Sequence, residues 1–139
     1  TDYTINGDGS IDVDGDVDLC DRSFCVTELP VKFNHVSGHF WCDDNKLTTL
    51  EGAPKSVGGG FWCQRNNLTT LEFSPKSVGG DFNCNSNNLT TLEGCPKSVS
   101  GNFNLHGNPI YNQLGDIDYK SYIKQINRDK ILNYLLGDV

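Results

Sequence analysis

Six cysteines, three histidines and a run of aspartates are the residues with chemistry to offer, and their spacing limits that chemistry. Asn6, Asp8, Gly9, Ser10, Ile11 and Asp12 match the middle of an EF-hand calcium loop. Thr4 and Gly15 stand where its first and last ligands belong, so both anchoring carboxylates are missing, and no helical pattern flanks it. No Cys-x-x-Cys and no Cys/His pair has zinc-ligand spacing. For catalysis, His39 and His106 lie on strands about three repeats apart, roughly 14 Å by strand spacing, too far to act together directly. Cys20 has no neighbouring cation except Arg22. The expectation is a protein that is not an enzyme and carries no cofactor and no metal.

Cys42, Cys63 and Cys84 recur at one interval, and Leu105 fills the same slot next. A slot that accepts Leu is an apolar core position, where a free thiol behaves as a small hydrophobe. Buried thiols are therefore expected in place of disulfides, in a reducing compartment, most simply a cytoplasm.

The elements that position these residues are set by a 21-residue repeat. Val36 to Ser56 (VSGHFWCDDNKLTTLEGAPKS), Val57 to Ser77 (VGGGFWCQRNNLTTLEFSPKS) and Val78 to Ser98 (VGGDFNCNSNNLTTLEGCPKS) are three copies, and a fourth opens at Val99 and breaks off near Ile110. Phe40, Phe61, Phe82 and Phe103 share a column, each followed two positions later by the Cys/Leu column. That inward period of two marks a short strand, and one such strand per copy stacks into a parallel sheet. Asn45, Asn66, Asn87 and Asn108 follow at the corner, where a stacked amide can satisfy interior backbone groups. Leucine, proline and valine columns complete the coil. Gly38, Gly59, Gly80 and Gly101 recur in every copy, which points to a positive φ or a close approach before each strand. Gly52 and Gly94 call for neither, because Phe73 replaces them in the middle copy. Glu51, Glu72 and Glu93, with Lys55, Lys76 and Lys97 four positions on, read as a solvated back face, as do the paired threonines.

Asp21 to His35 reads as a degenerate first repeat, with Phe24 in the Leu47 column and Pro30 in the Pro54 column; terminal repeats are atypical because one face meets solvent. Before it, Asn6-Gly7-Asp8-Gly9 separates two alternating runs and predicts a β-hairpin. After the repeats, the apolar spacing from Ile117 to Leu136 predicts helix, capped by Asp116 or Asp118 and divided at Asn127-Arg128. The expected organisation is a single domain over residues 1–139: a hairpin cap over 1–19, repeats over 13–110 and a helical cap over 111–139. The helix either covers the last repeat or docks a partner.

The net charge of −7 is concentrated at one end. Residues 1–21 hold seven Asp and no Lys or Arg, and the remainder balances 11 acidic against 11 basic residues. No basic footprint for direct nucleic-acid binding exists, and no apolar run approaches the roughly 18 residues of a membrane span. The polar start shows no signal-peptide pattern.

The spacing Val-x-x-x-Phe-x-Cys-x-x-Asn-x-Leu-x-x-Leu closely resembles the leucine-rich-repeat consensus, with Phe and Cys at strand positions usually held by Leu. The fuller wording, GGxFxCxxNxLTTLEGxPKSV ending in GNPIYN, is similar to short-repeat proteins encoded by tailed bacteriophages, over residues 13–113. The opening TINGDGSIDVDGDVDL resembles the start of the same group. The resemblance implies an all-β-rich solenoid: a right-handed leucine-rich-repeat coil with parallel strands, an N-terminal β-hairpin cap and a C-terminal α-helical cap. It also implies protein recognition through the concave strand face, with a host component as target and the host cytoplasm as the setting.

On that face three outward columns are expected. Asp16, His39, Gly60, Asp81 and Asn102 precede the phenylalanines; Asp18, Trp41, Trp62, Asn83 and Asn104 follow them; Cys20, Asp43, Gln64, Asn85 and His106 follow the cysteines. Trp41 and Trp62 should stack side by side, since adjacent strands sit about 4.8 Å apart. An aromatic pair ringed by His39, Asp43, Gln64, Asp81, Asn83, Asn85, Asn102, Asn104, His106 and Asp18 has the composition of a protein-binding hot spot. The other reading packs both rings under the hairpin or a dimer mate. Function is thus expected to be binding of a host protein, to inhibit or redirect it, defence proteins included. Two rivals are an acidic nucleic-acid mimic built on the Asp-rich hairpin and a structural protein that self-associates into a homo-oligomer.

Overall fold

The structure, a computed structural model, describes residues 1–21, 23, 25–114 and 118–137. Arg22, Phe24, Asp116 and Ile117 lie outside the described residues. The chain is a β-solenoid in which each coil contributes a strand to each of two sheets. Strands β3 (Val17–Asp18), β5 (Phe40–Trp41), β7 (Phe61–Trp62), β9 (Phe82–Asn83) and β11 (Phe103–Asn104) form one parallel sheet. Strands β2 (Ile11–Asp14), β4 (Phe33–Val36), β6 (Ser56–Val57), β8 (Ser77–Val78) and β10 (Ser98–Val99) run parallel in the second. This second sheet is not visible in the sequence, because two-residue strands such as Ser56–Val57 carry a single inward side chain and so no alternation. The predicted hairpin is present: β1 (Asp2–Ile5) pairs antiparallel with β2, in register from Asp2–Asp14 to Ile5–Ile11.

Between the sheets the phenylalanines form a stacked spine. Phe40, Phe61 and Phe82 are fully buried, with successive ring centroids 5.3 and 5.5 Å apart and planes within 8°. Phe103 continues the stack at 5.2 Å. Each such ring contributes about 1.5–3 kcal/mol by burial alone. Cys42, Cys63 and Cys84 lie fully buried beside them as free thiols. The asparagine corner works as expected. Asn66 Nδ2 donates to the Cys42 and Cys63 carbonyls at 3.0 Å each, and its Oδ1 accepts from the Leu47 N–H at 3.0 Å. Asn87 and Asn108 repeat the pattern one coil further on.

In the first coil the bonding pattern gives Val26 the Leu47 position: its N–H donates to Asn45 Oδ1 as that of Leu47 does to Asn66. Pro30 is exposed, whereas Pro54 is buried.

Of the two explanations for the recurrent glycines, close approach is the one realised. A Cβ on Gly38, Gly59 or Gly101 would lie 2.2–2.4 Å from Asp16 Oδ1, His39 Nδ1 or Asp81 Oδ1 of the preceding coil. Positive φ falls elsewhere, at Asp44, Arg65, Ser86 and Gly107, one column at the turns after β5, β7, β9 and β11. A second positive-φ column holds Gly52 (92°), Phe73 (69°) and Gly94 (81°). Phe73 therefore does not excuse its neighbours from a special conformation, as expected from the sequence; it adopts that conformation itself.

At the C-terminal end, Pro109 opens a short helix α1 (Pro109–Leu114), with proline at the first helical position, where a missing N–H costs nothing. Helix α2 (Tyr119–Leu135) is capped by Asp118, which accepts from Lys120 N–H and Ser121 Oγ. It is continuous through Asn127 and Arg128, contrary to the expected division. Tyr119 stacks on Phe103 at 4.4 Å and closes the spine, with Tyr122 and Ile123 packed beside it. Beyond them Ile131, Leu132, Tyr134, Leu135 and Leu136 are exposed.

Candidate functional site

The outward face of the β3–β5–β7–β9–β11 sheet is built from the side chains between the inward Phe and Cys/Leu positions. Trp41 and Trp62 are in register on β5 and β7, so their indoles stack with centroids 5.2 Å apart and planes 12° from parallel. Both are half-buried. The hairpin belongs to the other sheet and pairs with β4, so the rings do not pack beneath it. His39 lies 5.2 Å from each indole, tilted by 44° and 55°.

Gly60 seats Trp62. A Cβ there would meet Cη2, Cζ2 and Cζ3 of that indole at 2.4–2.8 Å, so the ring folds back along its strand and covers the glycine. Gly60 is buried accordingly and has no positive φ. In the next two coils the same position carries Asp81 and Asn102, and there the Trp slot holds Asn83 and Asn104.

The column before the phenylalanines also joins the coils. Asp16 Oδ1 accepts from the His39 N–H at 2.7 Å, His39 Nδ1 from Gly60 N–H at 2.9 Å, and Asp81 Oδ1 from Asn102 N–H at 2.8 Å. The His39 bond places that ring's proton on Nε2. Thus His39 and Asp81, read from the sequence as contact residues, first clamp the next coil, and their side chains cover Gly59 and Gly101 as Asp16 covers Gly38, whereas Gly80 is approached by the backbone of Gly59 and Gly60.

In the column after the cysteines, Asp43 accepts from Cys20 Sγ at 2.8 Å and lies 3.5 Å from Arg65. Arg65 Nε and Nη2 bind Asp44 at 2.5 and 2.6 Å, which holds the guanidinium above its usual pKa. Gln64 Oε1 and Asn85 Oδ1 are shielded from solvent without a hydrogen-bond partner. Asn83 Oδ1 accepts from Asn85 N–H and Asp18 Oδ1 from Cys20 N–H, so these side chains brace their own strands. Asn102, Asn104 and His106 gather at the far end beside Tyr119, and His106 contacts Tyr111 at 4.5 Å. The sheet therefore brings His39, Trp41 and Trp62 together, with Asp43, Gln64, Asp81, Asn83 and Asn85 around them. Asp18, Asn102, Asn104 and His106 lie toward its two ends.

Reactive chemistry finds no constellation among the described residues. Burial holds the Cys42, Cys63 and Cys84 thiols well above their ordinary pKa, and burial together with Asp43 does the same for Cys20. No group of His, Cys, Asp and Glu among the described residues is arranged to hold a metal ion. The acidic run is largely structural. Asp8 accepts from Ser10 N–H and Oγ, Asp12 from Asn34 and the His35 N–H, and Asp14 from Ser37 Oγ. Ser10 lowers the Asp8 pKa, and Asn34 lowers that of Asp12.

Sequence reasoning missed three features. Coupling of Gly60 to Trp62 carries no signal in the sequence, because Trp41 holds the same slot one coil earlier with His39, not glycine, two positions before it. The Arg65–Asp43–Asp44 cluster links residues 21 and 22 apart, a spacing that the repeat itself makes adjacent. On the back, exposed Phe73 forms one wall of a groove of ≈ 690 Å³ with Leu29, Val31 and Ala53. Compared with protein-family models, with characterised proteins and with solved structures, the chain matches none.

Proposed function

We propose that this protein is a binding scaffold that engages another protein through the outward face of its five-stranded sheet. The observation that carries the reading is the Trp41–Trp62 stack: two large aromatic rings held rigidly in register, half-exposed, and seated by a glycine given up for the purpose. Rigid aromatic anchors ringed by polar groups are what protein hot spots are made of, because they bury much apolar area at little conformational cost. Following the bacteriophage resemblance, the partner is a host protein, a defence protein among the candidates, and binding inhibits or redirects it. Six free thiols suit action in a reducing cytoplasm.

The test is affinity capture from host lysate with wild type and with Trp41→Ala/Trp62→Ala. Loss of the captured protein, with the thermal midpoint within a few degrees of wild type, is the expected outcome. Equal capture by the double variant refutes the reading.

A further inference from the structure

The sheet face carries a charge pattern that narrows the chemistry of its partner. Trp62 folds back over Gly60, with Trp41 and His39 on the side of the preceding coil. On the side of the following coil stands Asp81, in the column of Gly60, one strand spacing of about 4.8 Å away. Asn83 lies in register with Trp62 on the next strand, and the Asp81 carboxylate leans over Gly101 toward the coil beyond, which leaves the position between it and the indole to a smaller backbone profile. Asp81 forms no ion pair among the described residues, and its Oδ1 accepts only from a backbone N–H. Asp16, Asp18, Asp43 and Asp44 lie on the same face. Arg65 is already committed to Asp43 and Asp44.

We infer that the occupant of the position between Trp62 and Asp81 is an arginine from a basic segment of the partner protein, its guanidinium laid against Trp62 and its charge met by Asp81. Charge complementarity excludes an acidic partner. The aromatic face selects a planar, weakly hydrated cation over an ammonium, because a guanidinium stacks on an indole while keeping its edge donors for a carboxylate. The inference rests on the proposed function and deepens it by naming what the face recognises.

The probes are a fluorescein-labelled hexa-arginine peptide and its hexa-lysine counterpart, read by anisotropy. In parallel, wild-type tryptophan emission is recorded; the chain's two tryptophans are both in the site, so emission reports on it alone. Hexa-arginine is expected to quench that emission and to bind at least about fivefold more tightly than hexa-lysine. Asp81→Asn keeps an acceptor for Asn102 N–H but loses the charge, and should weaken hexa-arginine binding at least threefold without altering the free protein's emission. Equal affinity for both peptides, or full affinity in Asp81→Asn, overturns the inference. If hexa-arginine fails while Trp41→Ala/Trp62→Ala still abolishes capture from lysate, the face recognises a partner by other chemistry and this inference alone falls. If that double variant retains capture, the proposed function falls with it.

Discussion

Gly60→Ala probes the site more sharply than removing a tryptophan does. The added methyl would sit 2.4 Å from Trp62 Cη2 and 2.8 Å from Cζ2 and Cζ3. Ordinary carbon contacts lie near 3.5–4.0 Å, so the indole must swing by about 1 Å or more. Nothing in the backbone resists the substitution, since Gly60 has no positive φ and its N–H to His39 is untouched. Displacing the ring forfeits the stack with Trp41, about 0.5–1.5 kcal/mol, and about 1 kcal/mol of partial burial. Replacing glycine by alanine recovers about 0.4–1 kcal/mol through the unfolded chain. The net expectation is a loss of about 1–2 kcal/mol in wild type.

In a Trp62→Asn background the clash is gone, and Gly60→Ala should be neutral or stabilising by about 0.5 kcal/mol. The following coils show that a side chain at this position is compatible with Asn in the Trp slot, as Asp81 with Asn83 and Asn102 with Asn104. Urea denaturation of the four proteins, followed by far-UV circular dichroism, gives the coupling energy, expected near 2 kcal/mol. A red shift of tryptophan emission in Gly60→Ala alone should accompany it. Effects that add within about 0.5 kcal/mol would refute the seating of Trp62 on Gly60.

Asn66→Ala should cost about 3 kcal/mol or more in the same assay, because it strands the Leu47 N–H and removes a donor from the Cys42 and Cys63 carbonyls inside the coil; a loss below 1 kcal/mol would refute the corner's role. The buried thiols set an alkaline limit. Burial pushes Cys95 up to about 11 from an ordinary 9.0 and raises Cys42, Cys63 and Cys84 as well. The folded state therefore holds protons that the unfolded state releases. Stability should be intact below pH 9 and fall as pH rises from there, with Cys95 completing its contribution near 11 and Cys42, Cys63 and Cys84 still contributing to the fall beyond that point, as measured by denaturation at stepped pH; a Cys42→Leu/Cys63→Leu/Cys84→Leu variant should show a shallower fall that retains the Cys95 part.

What the sequence shows well are positions where every coil demands the same thing. Phe61, Cys63, Asn66, Leu68 and Leu71 each meet their own kind above and below, so packing and hydrogen bonding hold each of these columns to one residue type, relaxed to another apolar side chain only toward the ends, at Val26, Leu105 and Ile110. Less visible are positions where different residues meet one backbone demand. Asp44, Arg65, Ser86 and Gly107 all take positive φ, yet share no side-chain property that a pattern search could find. Interactions between coils are hidden for another reason. The clamp from His39 to Gly60 joins residues that a linear reading keeps 21 apart, and only stacking makes them neighbours. The C-terminal helix was legible as a helix from its spacing. Its division of labour was not, because Tyr119 and Leu135 look alike as apolar positions although one seals the spine and the other is exposed.

Two aromatic departures from the coil that follows fall between Val57 and Ser77, Trp62 in place of Asn83 and Phe73 in place of Gly94, and they differ in kind. Trp62 is compensated: Gly60 makes room, Trp41 stacks on it, and His39 borders both. Phe73 is not. It holds a left-handed conformation that glycine takes in the coils on either side, at about 1–2 kcal/mol for a residue with a Cβ, and leaves 57% of its surface in solvent. Local stability would favour glycine there, so folding gives no reason for the aromatic. The compensated departure lies on the sheet face, where a rigid, preorganised surface is what recognition requires. A local adjustment that fixes the geometry of an exposed ring is the mark of a surface built to be met in one orientation. For that reason the Trp62 face, rather than the larger groove beside Phe73, is the stronger candidate for the contact on which specificity depends.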